Sequence, residues 1–93
     1  PGQFATTAVL DGTGTEGAVR SVAPRVVGAG AQILLSGNAD SFDVDTTRVE
    51  YTRDEVRPAA QRIAEALGAD AVAVDDGRAD VDVTVVVGKD LVA

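Results

Sequence analysis

The sequence has no cysteine, histidine, methionine or tryptophan, and its aromatic side chains are one tyrosine and two phenylalanines. Without cysteine it has no disulfides, no thiolate metal ligands and no thiol nucleophile, a state compatible with any redox compartment. Without histidine it lacks the commonest general base, and Ser21, Ser36 and Ser41 have no evident activator. Catalysis is the least supported class, and no catalytic residue is assigned. Cations are scarce as well: Lys89 and seven arginines face fifteen acidic residues, a net charge of -7. Nucleic acids and anionic membrane surfaces are bound through clustered Lys and Arg, so neither partner is expected. No apolar run reaches the length of a membrane span or a signal-peptide core, so this stretch is not expected to insert into a bilayer itself. The chain starts at Pro1 and reads as a domain excised from a parent that carries any targeting or anchoring segment.

The 93 residues are 45% hydrophobic and only 3% aromatic, which predicts one small core of Val, Ala, Leu and Ile. Residues 1–5 read as a linker end and 6–93 as a single domain. A strand is expected at Thr6 to Leu10. The stretch Val9 to Gly17, "VLDGTGTEG", then supplies a complete G-x-G-x-x-G after an apolar run. That spacing matches the dinucleotide fingerprint, in which glycines let the backbone turn sharply toward a pyrophosphate. The chain is too short for two βαβαβ halves. The acidic ribose ligand expected about twenty residues on would fall near Ser36, and Asp11 and Glu16 flank the loop unless Arg20 offsets them. The glycines therefore read mainly as a tight turn between strand and helix. The anion-cradle reading for Asp11, Gly12, Thr13 and Gly14 stays as an alternative.

A helix follows, with Thr15 as the expected N-cap and Val19, Val22, Ala23 and Val26 at helical spacing. Pro24 predicts a kink, and Gly28 or Gly30 a stop. Ala31 to Ser36 and Thr46 to Thr52 read as strands. The nine residues Gly37 to Asp45 between them suit an antiparallel hairpin rather than a helical crossover. A second helix runs from Asp54, its expected N-cap, to Leu67, with Pro58 in the opening turn, Val56, Ala60, Ile63 and Leu67 buried, and Gly68 as C-cap. Ala71 to Val74 is a candidate short strand. "DDGRAD" turns the chain into Val81 to Val87, whose odd-numbered valines are expected to face the helices. The order β-α-β-β-α-β predicts an α/β (α+β) two-layer sandwich of ferredoxin-like type, a mainly antiparallel four-stranded sheet with two helices on one face. Its expected core is Val9, Val22, Val26, Ile33, Val49, Val56, Ile63, Leu67, Val83 and Val85.

Two loops are rich in carboxylates, Ser36 to Asp45 and Asp75 to Asp82. Neither has the ordered spacing of an EF-hand, so no metal and no cofactor are assigned. Phe42 in the first loop is either folded onto the core or offered to a partner, with Asn38 beside it. Tyr51 and Arg53, with Arg57, form a second candidate corner: an aromatic beside hydrogen-bonding side chains is what a sugar face needs, and a core-edge tyrosine with paired arginines is the plainer alternative.

Together, "VLDGTGTEG", "GAGAQI" at Gly28 to Ile33, "SGNAD" at Ser36 to Asp40, "VEYTRD" at Val49 to Asp54, "EALGAD" at Glu65 to Asp70 and "DVTVVVGKD" at Asp82 to Asp90 resemble the LytR C-terminal domain family, LytR_C, over roughly Ala8 to Asp90. Asp11 stands where the family's turn usually has Asn. The resemblance implies an extracytoplasmic accessory domain of cell-envelope proteins in Gram-positive bacteria, especially actinobacteria, found behind a LytR-CpsA-Psr ligase domain or a membrane anchor. The implied function is non-catalytic: binding or positioning a wall glycopolymer or an envelope protein while polymers are attached to peptidoglycan. A homodimer is a further expectation. The rival class is a ferredoxin-like module that senses an anion or nucleotide, or dimerises, through the Gly12 to Gly17 turn.

Overall fold

The computed structural model describes residues 5–75 and 80–92. It contains β1 (Ala5–Asp11), α1 (Ala18–Gly28), β2 (Ala31–Asn38), β3 (Arg48–Tyr51), α2 (Arg57–Leu67), β4 (Asp70–Ala73) and β5 (Val83–Val87). Single 3-10 turns precede α2 at Asp54–Val56 and follow β5 at Lys89–Leu91. The class expected from the sequence, mixed α/β with two helices on one face of a sheet, is what forms. The sheet itself differs. It has five strands in the order β2-β1-β5-β3-β4, and it is mixed: β1 is parallel to both β2 and β5, β3 is parallel to β4, and only β3 with β5 is antiparallel. The four-stranded, mainly antiparallel ferredoxin-like sheet is therefore corrected.

The hairpin is the source of the error. Strand β3 does run opposite to β2, but β1 and β5 lie between them. Three inter-strand gaps amount to about 14 Å, whereas nine residues can extend about 30 Å. A short link can thus cross the end of a sheet as readily as it can fold a hairpin. Residues 39–47 make that crossing, passing over the carboxyl ends of β1 and β5 as a strap. The Val44 N–H donates to the Gly12 carbonyl (3.0 Å), the Lys89 N–H to that of Val44 (2.9 Å) and the Asp90 N–H to that of Asp45 (3.1 Å). Buried Thr47 pins the far end: its N–H and hydroxyl both donate to one Asp90 carboxylate oxygen (2.9 and 2.7 Å), while its Oγ accepts the Gly88 N–H (2.8 Å).

Strand β5 is central. A strand covered on both faces reads as a continuous apolar run, as Val85-Val86-Val87 does. Val83, Val85 and Val87 belong to the core under the helices, and Val86 on the opposite face is buried too. The candidate strand near Ala71 forms as β4 and completes the sheet beside β3. The "DDGRAD" turn falls largely on residues 76–79, outside the described residues.

Both helices keep their expected buried stripes. Ala18, Val22 and Val26 of α1 and Ala60, Ile63, Ala64 and Leu67 of α2 share one core with Val9, Val49 and Tyr51. Of the expected core residues, Ile33 and Val56 are only partly buried at its margin. The helix ends are corrected in detail. Helix α1 begins at Ala18 after Gly17 (φ +82°), with no side-chain cap from Thr15, and it continues through Pro24 to Gly28. Asp54 opens a 3-10 turn instead of capping α2, while Gly68 (φ +65°) ends α2 as expected. The Arg25 guanidinium donates to the Ala66 carbonyl (2.7 Å) and ties one helix to the other.

Candidate functional site

The glycine loop is built around Asp11, the last residue of β1. The Asp11 carboxylate is buried and accepts the Thr13 N–H (2.8 Å) and the Thr13 hydroxyl (2.6 Å); the Thr13 Oγ in turn accepts the Thr15 N–H (3.0 Å). Asp11 acts there only as an acceptor, so these bonds need no amide donor at this position. The Gly12 N–H donates to the Val87 carbonyl (2.9 Å) and the Ala18 N–H to that of Thr15 (3.2 Å). Four amides of the turn, at Gly12, Thr13, Thr15 and Ala18, are thus committed inside the protein and are not aimed at an anion.

The glycines have steric reasons of their own. A Cβ on Gly12 would lie 2.6 Å from Val44 Cγ2 and 2.7 Å from the Val87 carbonyl oxygen, so the strap can cross only because Gly12 has no side chain. Gly14 has φ +72°, a conformation that L side chains rarely adopt, and lies under the Phe42 ring. Phe42 is folded onto the glycine loop yet remains 47% exposed.

Beside this loop lies an open cleft of about 490 Å³, between the start of α1 and the ends of β1 and β2. Its lining brings carboxylates (Asp11, Glu16), hydrogen-bonding side chains (Thr15, Ser36, Asn38) and the Arg20 guanidinium together. Arg20 has no ion pair among the described residues. The cleft sits at the carboxyl ends of two parallel strands joined by a helix, the end at which open α/β sheets place their ligands.

Six of the eight residues singled out from the sequence meet at this end of the sheet: Asp11 and Asn38 in the cleft, Gly12, Thr13 and Gly14 in the adjoining loop, and Phe42 on top of Gly14. Tyr51 and Arg53 lie at the opposite end, where β3 finishes beside Val83. Tyr51 is a core residue, and its ring is no platform. The Arg53 guanidinium is 2.6 Å from the Asp82 carboxylate and 3.9 Å from that of Glu55, while Asp82 is bonded to Thr6. That corner is an ion-paired sheet end. Sequence reasoning left out Ser36, Gly37 and Val19 as cleft residues. The β1–β2 register, which sets Asp11 beside Asn38, places Ser36 and Gly37 there, and the start of α1 adds Val19.

The fold and the cleft define a small mixed α/β domain whose glycine turn serves a strap across the sheet end. The chain belongs to the LytR_C family, described as LytR cell envelope-related transcriptional attenuator, whose model matches residues 5–91. LytR_C is an accessory domain of cell-envelope proteins and is not a known catalytic domain. The fold is similar to the solution structure of the C-terminal domain of RV0431, at 32% identity over 92% of this chain and 73% of that one, with a TM-score of 0.61. It is also similar to the crystal structure of the soluble domain of a conserved hypothetical secreted protein from Mycobacterium marinum, an Rv2700 ortholog. That likeness has 23% identity over 94% of this chain and 60% of that one, with a TM-score of 0.62, and speaks for the fold alone. No curated protein matches the chain.

Proposed function

We propose that this domain is a non-catalytic, extracytoplasmic module, tethered through its parent chain, that positions a wall glycopolymer by holding it weakly in the cleft between α1 and the ends of β1 and β2. The observation that carries the reading is the chemistry of the lining. Carboxylate acceptors, the Asn38 amide, two hydroxyls and a guanidinium with no ion pair among the described residues suit the mixed donors and acceptors of a polyhydroxylated ligand. A phosphate would meet Asp11 and Glu16, and it would find four loop amides already engaged. Phe42, on the adjoining loop, is the described aromatic at this end, so the affinity per site is low and is raised by tethering.

The test is an amide-shift titration of the labelled chain with soluble peptidoglycan and arabinogalactan fragments, and separately with inorganic phosphate and nucleotides. Glycan should move the amides of residues 14–20 and 36–38, and Asn38→Ala should weaken binding by about 1 kcal/mol while leaving the melting temperature unchanged. Shifts produced by phosphate or nucleotide alone would reassign the cleft to an anion. If neither moves it while Phe42→Ala weakens association with an envelope protein, the domain positions a protein instead.

A further inference from the structure

The first half of the edge strand β2, Ala31 to Ile33, lies away from the cleft, which takes the strand's other end at Ser36 to Asn38, and carries a different signal. From Val26 to Ala39 the sequence has fourteen consecutive residues without a charge, in a chain that is 25% charged. This stretch is the end of α1 and the whole of β2, and among the described residues β2 pairs only with β1. Edge strands are usually blunted by charge, proline, shortness or a bulge. Strand β2 has eight residues, no charge and no proline, and its one device is a register slip opposite Thr7 and Ala8 that leaves Leu34 half exposed. The other edge, β4, has four residues and carries Asp70. Beside β2, Val27, Ala31, Gln32 and Ile33 line an open depression of about 510 Å³, and Val27 is half exposed there.

We propose that this edge is a homodimer interface, in which β2 of one copy pairs antiparallel with β2 of a second, on the Ala31 to Ile33 side of the bulge, with the two Val27 side chains brought together across the depressions. Charge selects a second copy as the occupant. A molecule of net charge -7 repels its copies over most of its surface, and the uncharged Val26 to Ala39 stretch is where two copies meet without like charges in contact. A basic partner would gain nothing from docking there. Antiparallel pairing about a two-fold axis also closes at two copies, because the same backbone groups serve as donors and acceptors on both sides.

Sedimentation equilibrium over a dilution series, paired with amide shifts of the same samples, tests this. The wild-type mass should rise from 9.4 kDa toward twice that value, with concentration-dependent shifts confined to β2 and the end of α1. Val27→Lys and Leu34→Lys lie at exposed positions. Each should raise the dimer dissociation constant at least about tenfold by setting like charges together, at an unchanged melting temperature. A wild-type chain that stays monomeric throughout overturns the proposal and leaves the edge to a strand of another protein. A dimer that survives both substitutions with intact folding also overturns it, by placing the contact on another surface.

Discussion

Gly12 and Gly88 end adjacent strands of the sheet, β1 and β5, and the strap runs over both. A Cβ on Gly88 would stand 2.5 Å from the backbone of Thr46 and Thr47, and one on Gly12 would meet a movable Val44 methyl along with the Val87 carbonyl. Gly17 differs: its φ of +82° disfavours a side chain, but nothing lies within 4 Å. The expected order of damage follows. Gly17→Ala should cost about 1 to 2 kcal/mol from the left-handed backbone alone. Gly88→Ala should cost about 3 kcal/mol or more, because backbone rather than a side-chain end has to move. Urea denaturation of the two variants checks this, and equal losses would mean that the strap can lift off Gly88 freely. The glycine turn was legible as a turn in the sequence, since the short chain, the missing acidic ribose ligand and the flanking acids argued against a phosphate although the spacing matched the dinucleotide fingerprint. Its reason was not legible, because the residue that approaches Gly12 is Val44, more than thirty positions away.

At the level of elements, periodicity located both helices, and the buried stripes at Val22, Val26, Ile63 and Leu67 are those expected. Pairing was hidden because it depends on which strands are covered on both faces, and alternation is blind to that when a strand is apolar on both. Val81 to Val87 was read as alternating, with the odd valines inward, yet Val86 is as enclosed as its neighbours, standing between Leu10 on β1 and Arg48 on β3. The two readings differ in what they expect of Val86→Lys. A half-exposed strand would lose less than about 0.5 kcal/mol at that position. A central strand should lose about 2 kcal/mol or more, from an unpaired charge on a buried site directly opposite a second cation. Ile63→Asp serves as the reference, since Ile63 is fully enclosed by helix and sheet and its replacement should abolish the cooperative melt.

The whole molecule is two similar halves and a wedge. β1-α1-β2 and β3-α2-β4 are each a parallel βαβ unit with its helix on the same face, and α1 packs on α2. The two units do not pair with each other through their strands: β5, the last strand, lies between β1 and β3 and bonds to both. The segment after β5 clasps the strap, through Lys89 to Val44 and Asp90 to Asp45 and Thr47. Apart from the strap, whose Val44 bonds to Gly12, and the contact of the helices, what joins the halves across the sheet among the described residues is supplied by the C-terminal stretch from Val81 onward. Each half alone exposes the inner edge of a two-stranded parallel pair, which is too small to be stable in water. A chain ending at Asp75 should then retain both helix-forming sequences but show no cooperative thermal transition. Adding the stretch from Asp80 to Val92 as a separate peptide should restore protected amides in β1 and β3 together rather than in one before the other. Circular dichroism and hydrogen exchange on the truncated chain, with and without the peptide, follow this directly. A truncated chain that still melts cooperatively would show that the helix layer holds the halves by itself and that β5 only fills the gap they leave.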